Sequence, residues 1–121
     1  MSDIKNLVEN YVALWNEQDA NARRQKIAAL WTEDGAHFTS TLEARGHDAI
    51  AMRVASAHAR FVGTGQFVFR AIDNVDSHHD TVRFNWTMVP ASGGDVASVG
   101  FDFLFLAPDG RIHADYQFIE P

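Results

Sequence analysis

Residues 100–118, GFDFLFLAPDGRIHADYQF, decide how the chain folds. Two runs with a period of two flank the turn-forming Ala-Pro-Asp-Gly, so the stretch reads as two strands joined by a tight turn. In the first run Phe101, Phe103 and Phe105 point to one face, and Asp102, Leu104 and Leu106 to the other. Both faces are largely apolar, which predicts a strand covered on both sides. Asp102 must then be satisfied by partners, hold a proton, or line a cavity.

Working upstream, the period of two persists through VASVGFDFLFL, TVRFNWTMV and QFVFRAIDNV, separated by PASGGD and DSHHD, both rich in turn formers. Counting back across PASGGD, one register sets Arg83 opposite Asp102, and the neighbouring register sets Phe84 there with Trp86 near Gly100. Before residue 66 the period is helical. Ile4, Leu7, Val8, Tyr11, Val12 and Trp15 follow i, i+3, i+4 spacing and predict a first helix over about 3–17. A second helix, capped by Asp19 or Asn21, is expected to run to about Thr32, with Gly35 as a left-handed stop. AHFTS and TLEARG read as two short strands, and HDAIAMRVASAHARFVGTG as a third helix. Three helices followed by a four-stranded antiparallel meander predict an α+β domain whose helices share one face of the sheet. A strongly curved sheet of this kind encloses a pocket.

The chain has 121 residues, enough for one core, and no linker or repeat divides it, so 1–121 is read as a single domain. A formal charge of −6 with scattered basic residues argues against a nucleic-acid partner. No apolar run approaches a membrane span, and the acidic N-terminus is unlike a signal peptide, so a cytoplasmic protein without a membrane partner is expected. The absence of cysteine excludes disulfides, thiolate nucleophiles and Cys-type metal sites. His78 and His79 lie in an exposed turn, and the sequence offers no phosphate loop, Gly-x-Ser-x-Gly elbow or His-Glu-x-x-His. No metal and no cofactor are expected.

YVALWNEQDANARRQKIAALWTEDGAHF, RGHDAI, VDSHHDTVRFNWTM and GFDFLFLAPDGRI, in this order over nearly the whole chain, resemble a SnoaL-like member of the nuclear transport factor 2 (NTF2-like) superfamily. The resemblance implies a cone-shaped fold with three N-terminal helices on a strongly curved mixed or antiparallel sheet, and a homodimer through the sheet's outer face. It also implies chemistry of the kind found in ketosteroid isomerases, polyketide cyclases, scytalone dehydratase and limonene epoxide hydrolase, although the superfamily includes non-catalytic domains. By this resemblance Tyr11 matches the tyrosine that donates to a substrate oxyanion. The isomerase base falls at Thr39, which cannot take a proton near neutral pH; His37, two residues earlier on the same strand face, is the candidate replacement. Asp102 lies where the isomerases carry a protonated acid.

The candidate catalytic residues are therefore Asp102, Tyr11 and His37. Trp15, Trp31, Trp86 and Phe103 are candidate walls for a small hydrophobic, carbonyl-containing ligand, with Arg83 as a possible partner of Asp102. His113, Asp115 and Gln117 share one parity of the last strand and are assigned to its solvated or dimer-contact face. Two readings stand: a cofactor-independent isomerase, cyclase or hydratase, or a non-catalytic dimeric ligand-binding or accessory domain.

Overall fold

In a computed structural model, which describes residues 2–120 and the side chains of 3–120, the chain folds as three helices on one face of a seven-stranded sheet. Helix α1 (Ser2–Asn16) carries Asp3 in its first turn, where the helix dipole favours a carboxylate. Helix α2 (Ala20–Leu30) starts at Asp19, whose side chain accepts from the Ala22 N–H. It stops earlier than the sequence suggests, because Trp31 is already extended and opens strand β1 (Trp31–Phe38). Gly35 is thus a strand residue without a left-handed backbone. A Cβ there would come within 2.8 Å of the Trp31 ring, so it is glycine for space. Strand β2 (Glu43–Arg45) leads into α3 (Gly46–Ala57), which passes into a π-helical turn, His58–Val62.

Strands β3 (Phe67–Ala71), β4 (Asp76–His78), β5 (Thr81–Pro90), β6 (Ser98–Leu106) and β7 (Ile112–Ile119) complete the sheet in the order β2-β1-β7-β6-β5-β3, with β4 also pairing β5. His79 and Asp80 both have positive φ and form the two-residue turn between β4 and β5. The meander is antiparallel as expected, but β1 joins β7 in parallel, so the sheet is mixed. Phe84 is the residue opposite Asp102, and Trp86 sits opposite Gly100.

The inner face meets the helices around Val8, Tyr11, Leu14, Ile27, Trp31, Ile50, Val54, Phe84 and Leu104, each at most 1 % exposed. The outer face carries the other parity: Phe101, Phe103, Phe105, Tyr116 and Phe118. Between β6 and β7 the register shifts, since Phe105 pairs Ala114 and Leu106 pairs Ile112. His113 is the extra residue of this bulge, so Ile112 and Asp115, an odd number apart, are both buried and inward.

Candidate functional site

Tyr11 lies on the buried face of α1, its ring held by Trp31 at 5.6 Å and by the edge of Phe84 at 5.4 Å. Its hydroxyl is 2.9 Å from Asp102 Oδ2 on β6 and 2.6 Å from Asp115 Oδ2 on β7. A phenol has one hydrogen and can donate to one of them, so the other carboxyl must supply the hydrogen for its own contact. Asp102 is that acid. Burial, then the charge of Asp115, hold its pKa well above the usual carboxylate range. Burial raises Asp115 as well, only to about 6, because it accepts hydrogen bonds that favour the charged form.

Near neutral pH Asp115 is therefore a carboxylate that accepts from Tyr11 and from His37 Nδ1, 2.7 Å away on the neighbouring strand β1. Desolvation lowers His37 to about 4, so its imidazole is neutral and the contact is a hydrogen bond, not an ion pair. With Nδ1 donating, the His37 Nε2 lone pair faces Arg53 Nε on α3 at 3.4 Å. Asp102 Oδ1 accepts from Trp86 Nε1 at 2.7 Å and from Gln117 Nε2 at 3.4 Å, and Gln117 Oε1 accepts from Arg53 Nη2 at 3.1 Å. Every hydrogen in this ring has one direction: Arg53 to His37 to Asp115, and Trp86 to Asp102 to Tyr11 to Asp115. Among the described residues Asp115 Oδ1 is buried without a partner.

A cavity of about 280 Å³ opens beside the network, between α1, the C-terminal part of α3, the π-helical turn and the inner face of β3, β5, β6 and β7. Tyr11, Trp15, Arg53, Phe61, Trp86 and Gln117 are among its walls. Asp102, Asp115 and His37 are not; they stand one layer behind, and the pocket meets them through Tyr11, Trp86 and Gln117. His37, Asp102 and Asp115 each offer one ligand atom within 4.8 Å of the others. The Tyr11 hydroxyl bridges the two carboxylates, so a cation among the three would have to displace it.

Tyr11, Asp102 and His37, expected from the sequence to cooperate, belong to one network, and Trp15 and Trp86 line the pocket. Asp102 faces the helices as expected, but the ligand space does not reach its carboxyl directly. Trp31 is a correction: it is fully buried behind Tyr11, its indole N–H turned to the Ala36 carbonyl. Phe103 and Arg83 are also corrections. They pair with each other on the outer face, because the Phe84–Asp102 register sends both away from the helices. Asp115 and Gln117, assigned from parity to the outer face, are inward and central, since the bulge at His113 inverts that parity. Arg53 was missed because it lies on a helix at the edge of an apolar stripe, where a basic residue reads as solvated.

Three helices covering one face of a curved mixed sheet, closed over a pocket with a polar floor, define the NTF2-like, cystatin-like class of domains. The chain belongs to the SnoaL-like family, whose domain model matches residues 8–114. A SnoaL-like protein from Agrobacterium tumefaciens str. C58, provisionally called an isomerase, is 26 % identical over 100 % of both chains, with a TM-score of 0.89. A Sinorhizobium meliloti protein, provisionally called a polyketide cyclase, is 14 % identical with a TM-score of 0.71, covering 93 % of this chain and 94 % of its own. An NTF2-like protein with a cystatin-like fold from Novosphingobium aromaticivorans is 22 % identical with a TM-score of 0.70, covering 98 % and 80 %. No curated protein matches the sequence. Among the described residues no helix is long and apolar enough to cross a membrane.

Proposed function

We propose that this protein binds a small hydrophobic, carbonyl-containing molecule in the cone pocket and acts on it by general acid–base chemistry, as a cofactor-independent isomerase, cyclase or hydratase. One observation carries the reading: the pocket wall includes a tyrosine whose hydroxyl bridges two buried carboxyls, Asp102 and Asp115. Buried acids with perturbed titration concentrate at functional sites. The ligand oxygen would be held against Tyr11, with Gln117 and Arg53 as neighbouring donors. Tyr11 Oη would pass its hydrogen to that oxygen while Asp102 Oδ2–H refills Tyr11, so the proton released is the one Asp102 stores. Thr39, where the isomerases carry their base, makes backbone hydrogen bonds with Leu42 and belongs to no part of the network. Proton abstraction in the isomerase manner is accordingly not part of this proposal.

Fluorescence of Trp15 and Trp86 should report binding across a panel of aryl ketones and enones, and ultraviolet absorbance should report their conversion. Tyr11→Phe is expected to keep binding within a few-fold and to lose at least about a hundredfold in turnover, the usual size of an acid–base contribution. Binding with no turnover in either protein would remove the catalytic part of the reading. What would then stand is the non-catalytic ligand-binding domain, which is favoured by the one-layer retreat of Asp102, Asp115 and His37 from the cavity.

A further inference from the structure

Among the described residues that line the cavity the charges have one sign: Arg53 and Arg60 are there and no carboxylate side chain is, in a chain whose formal charge is −6. Among the described residues neither arginine makes an ion pair. Arg53 is oriented from three sides: its guanidinium lies 5.4 Å from the Trp15 ring centroid, Nη2 is on Gln117, and Nε faces His37. Nη1 has no protein partner among the described residues. Arg60 is carried by the π-helical turn, its guanidinium 5.0 Å from the Phe61 ring. Such turns are rare in helices and fall frequently at functional sites. A fixed planar fork with a free edge, next to a second cation and above aromatic walls, matches a planar anion on an apolar body.

We propose that the pocket takes a small monocarboxylate, with the carboxylate on Arg53 and Arg60 and an aromatic or branched aliphatic body against Trp15, Phe61, Phe69 and Trp86. This rests on the reading of the cavity as a ligand site and specifies its ligand class. The carboxylate would be the handle, leaving a carbonyl elsewhere on the molecule free to meet Tyr11. The volume of about 280 Å³ suits a body the size of a substituted phenyl ring.

The test is a fluorescence titration of the intact protein with 3-phenylpropanoate and octanoate, each against its primary amide, at pH 7.5 in low and high salt. Each pair shares its shape and differs in charge. The acids are expected to bind at least about tenfold more tightly than their amides, as charge-assisted hydrogen bonds are stronger than neutral ones. Salt should narrow that gap. Arg53→Met should abolish it, Arg53→Lys should restore part of it, and Arg60→Met, which touches none of the buried network, should reduce it. Equal affinity of acid and amide, or a gap unaffected by both arginine substitutions, would overturn the carboxylate proposal and leave the pocket reading standing. No binding by any of the four probes to a protein folded by circular dichroism would overturn both.

Discussion

Asp102, Asp115 and His37 are all buried, and their titrations act on stability with different signs. Asp115 rises from 3.8 to about 6 on folding, so the native state holds its proton more tightly and stability falls as pH climbs through that interval. His37 falls from 6.5 to about 4, so the native state resists its charging and stability rises as pH climbs through nearly the same interval. The two effects oppose each other. What is left is Asp102, raised well above 3.8, which makes stability decline with rising pH from about 4 upward, at a slope on the order of 1 kcal/mol per pH unit. Asp102→Asn preserves the hydrogen-bond pattern of the protonated acid: Oδ1 accepts from Trp86 and the amide donates to Tyr11. The variant should fold, gain stability at pH 7, and show a flattened pH dependence in urea denaturation. A loss of stability instead would mean that Asp102 is ionised and that the protons are arranged differently. Asp115→Asn differs, since it puts an amide where Oδ1 already lacks a partner and removes the negative charge facing Arg53. It should cost about 1–3 kcal/mol.

At the scale of elements, strand β6 is shaped by what β5 lays across it. Trp86 crosses the backbone at Gly100 to bring Nε1 to Asp102, and a Cβ on Gly100 would fall 2.0 Å from the indole. Gly100→Ala should displace that ring, cost roughly 1–3 kcal/mol by thermal denaturation, and alter pocket binding through the lost Trp86–Asp102 bond. A variant with unchanged stability and unchanged tryptophan emission would show that the indole does not need this space. Elements of strong period were legible in the sequence: α1, β5 and β6 lie within a few residues of where the apolar spacing puts them. The α2–β1 boundary was not, because Leu30 and Trp31 are apolar on either side of a backbone change that no glycine or proline marks. Nor was half of the site. A bulge at His113 costs one residue and leaves no compositional trace, yet it decides that Asp115 and Gln117 face inward. Asp102 could be found because it breaks an apolar run, and Tyr11 through the family resemblance of its helix; Arg53 and Arg60 could not, since exposed helices are full of arginines.

At the scale of the molecule, the helices cover only one side of a sheet that is apolar on both. On the outer face Phe105, Tyr116 and Phe118 are 42 %, 39 % and 57 % exposed. They continue across strands through aromatic contacts: Phe38 stacks on Tyr116 at 5.0 Å, Phe105 meets Tyr116 at 6.0 Å, and Phe101 meets Phe118 at 6.1 Å. A contiguous aromatic carpet over β1, β7 and β6 is the kind of surface a soluble protein covers, and a second copy of the same sheet matches it in shape and polarity. We therefore propose a homodimer through this face. The alternation on β7 ties it to the site, because Asp115 and Gln117 point inward between the outward Tyr116 and Phe118, so that clamping one face of the strand steadies the other. Sedimentation velocity at micromolar concentration should give a particle of about 27 kDa, twice the 13.5 kDa chain. Phe118→Glu with Tyr116→Glu should yield a monomer by placing charge at the interface core. That monomer is expected to retain its fold but bind pocket ligands more weakly, by a factor that reports how much rigidity β7 draws from the partner. A wild-type monomer under these conditions would rule the dimer out, and a double variant that stays dimeric would move the interface off this face.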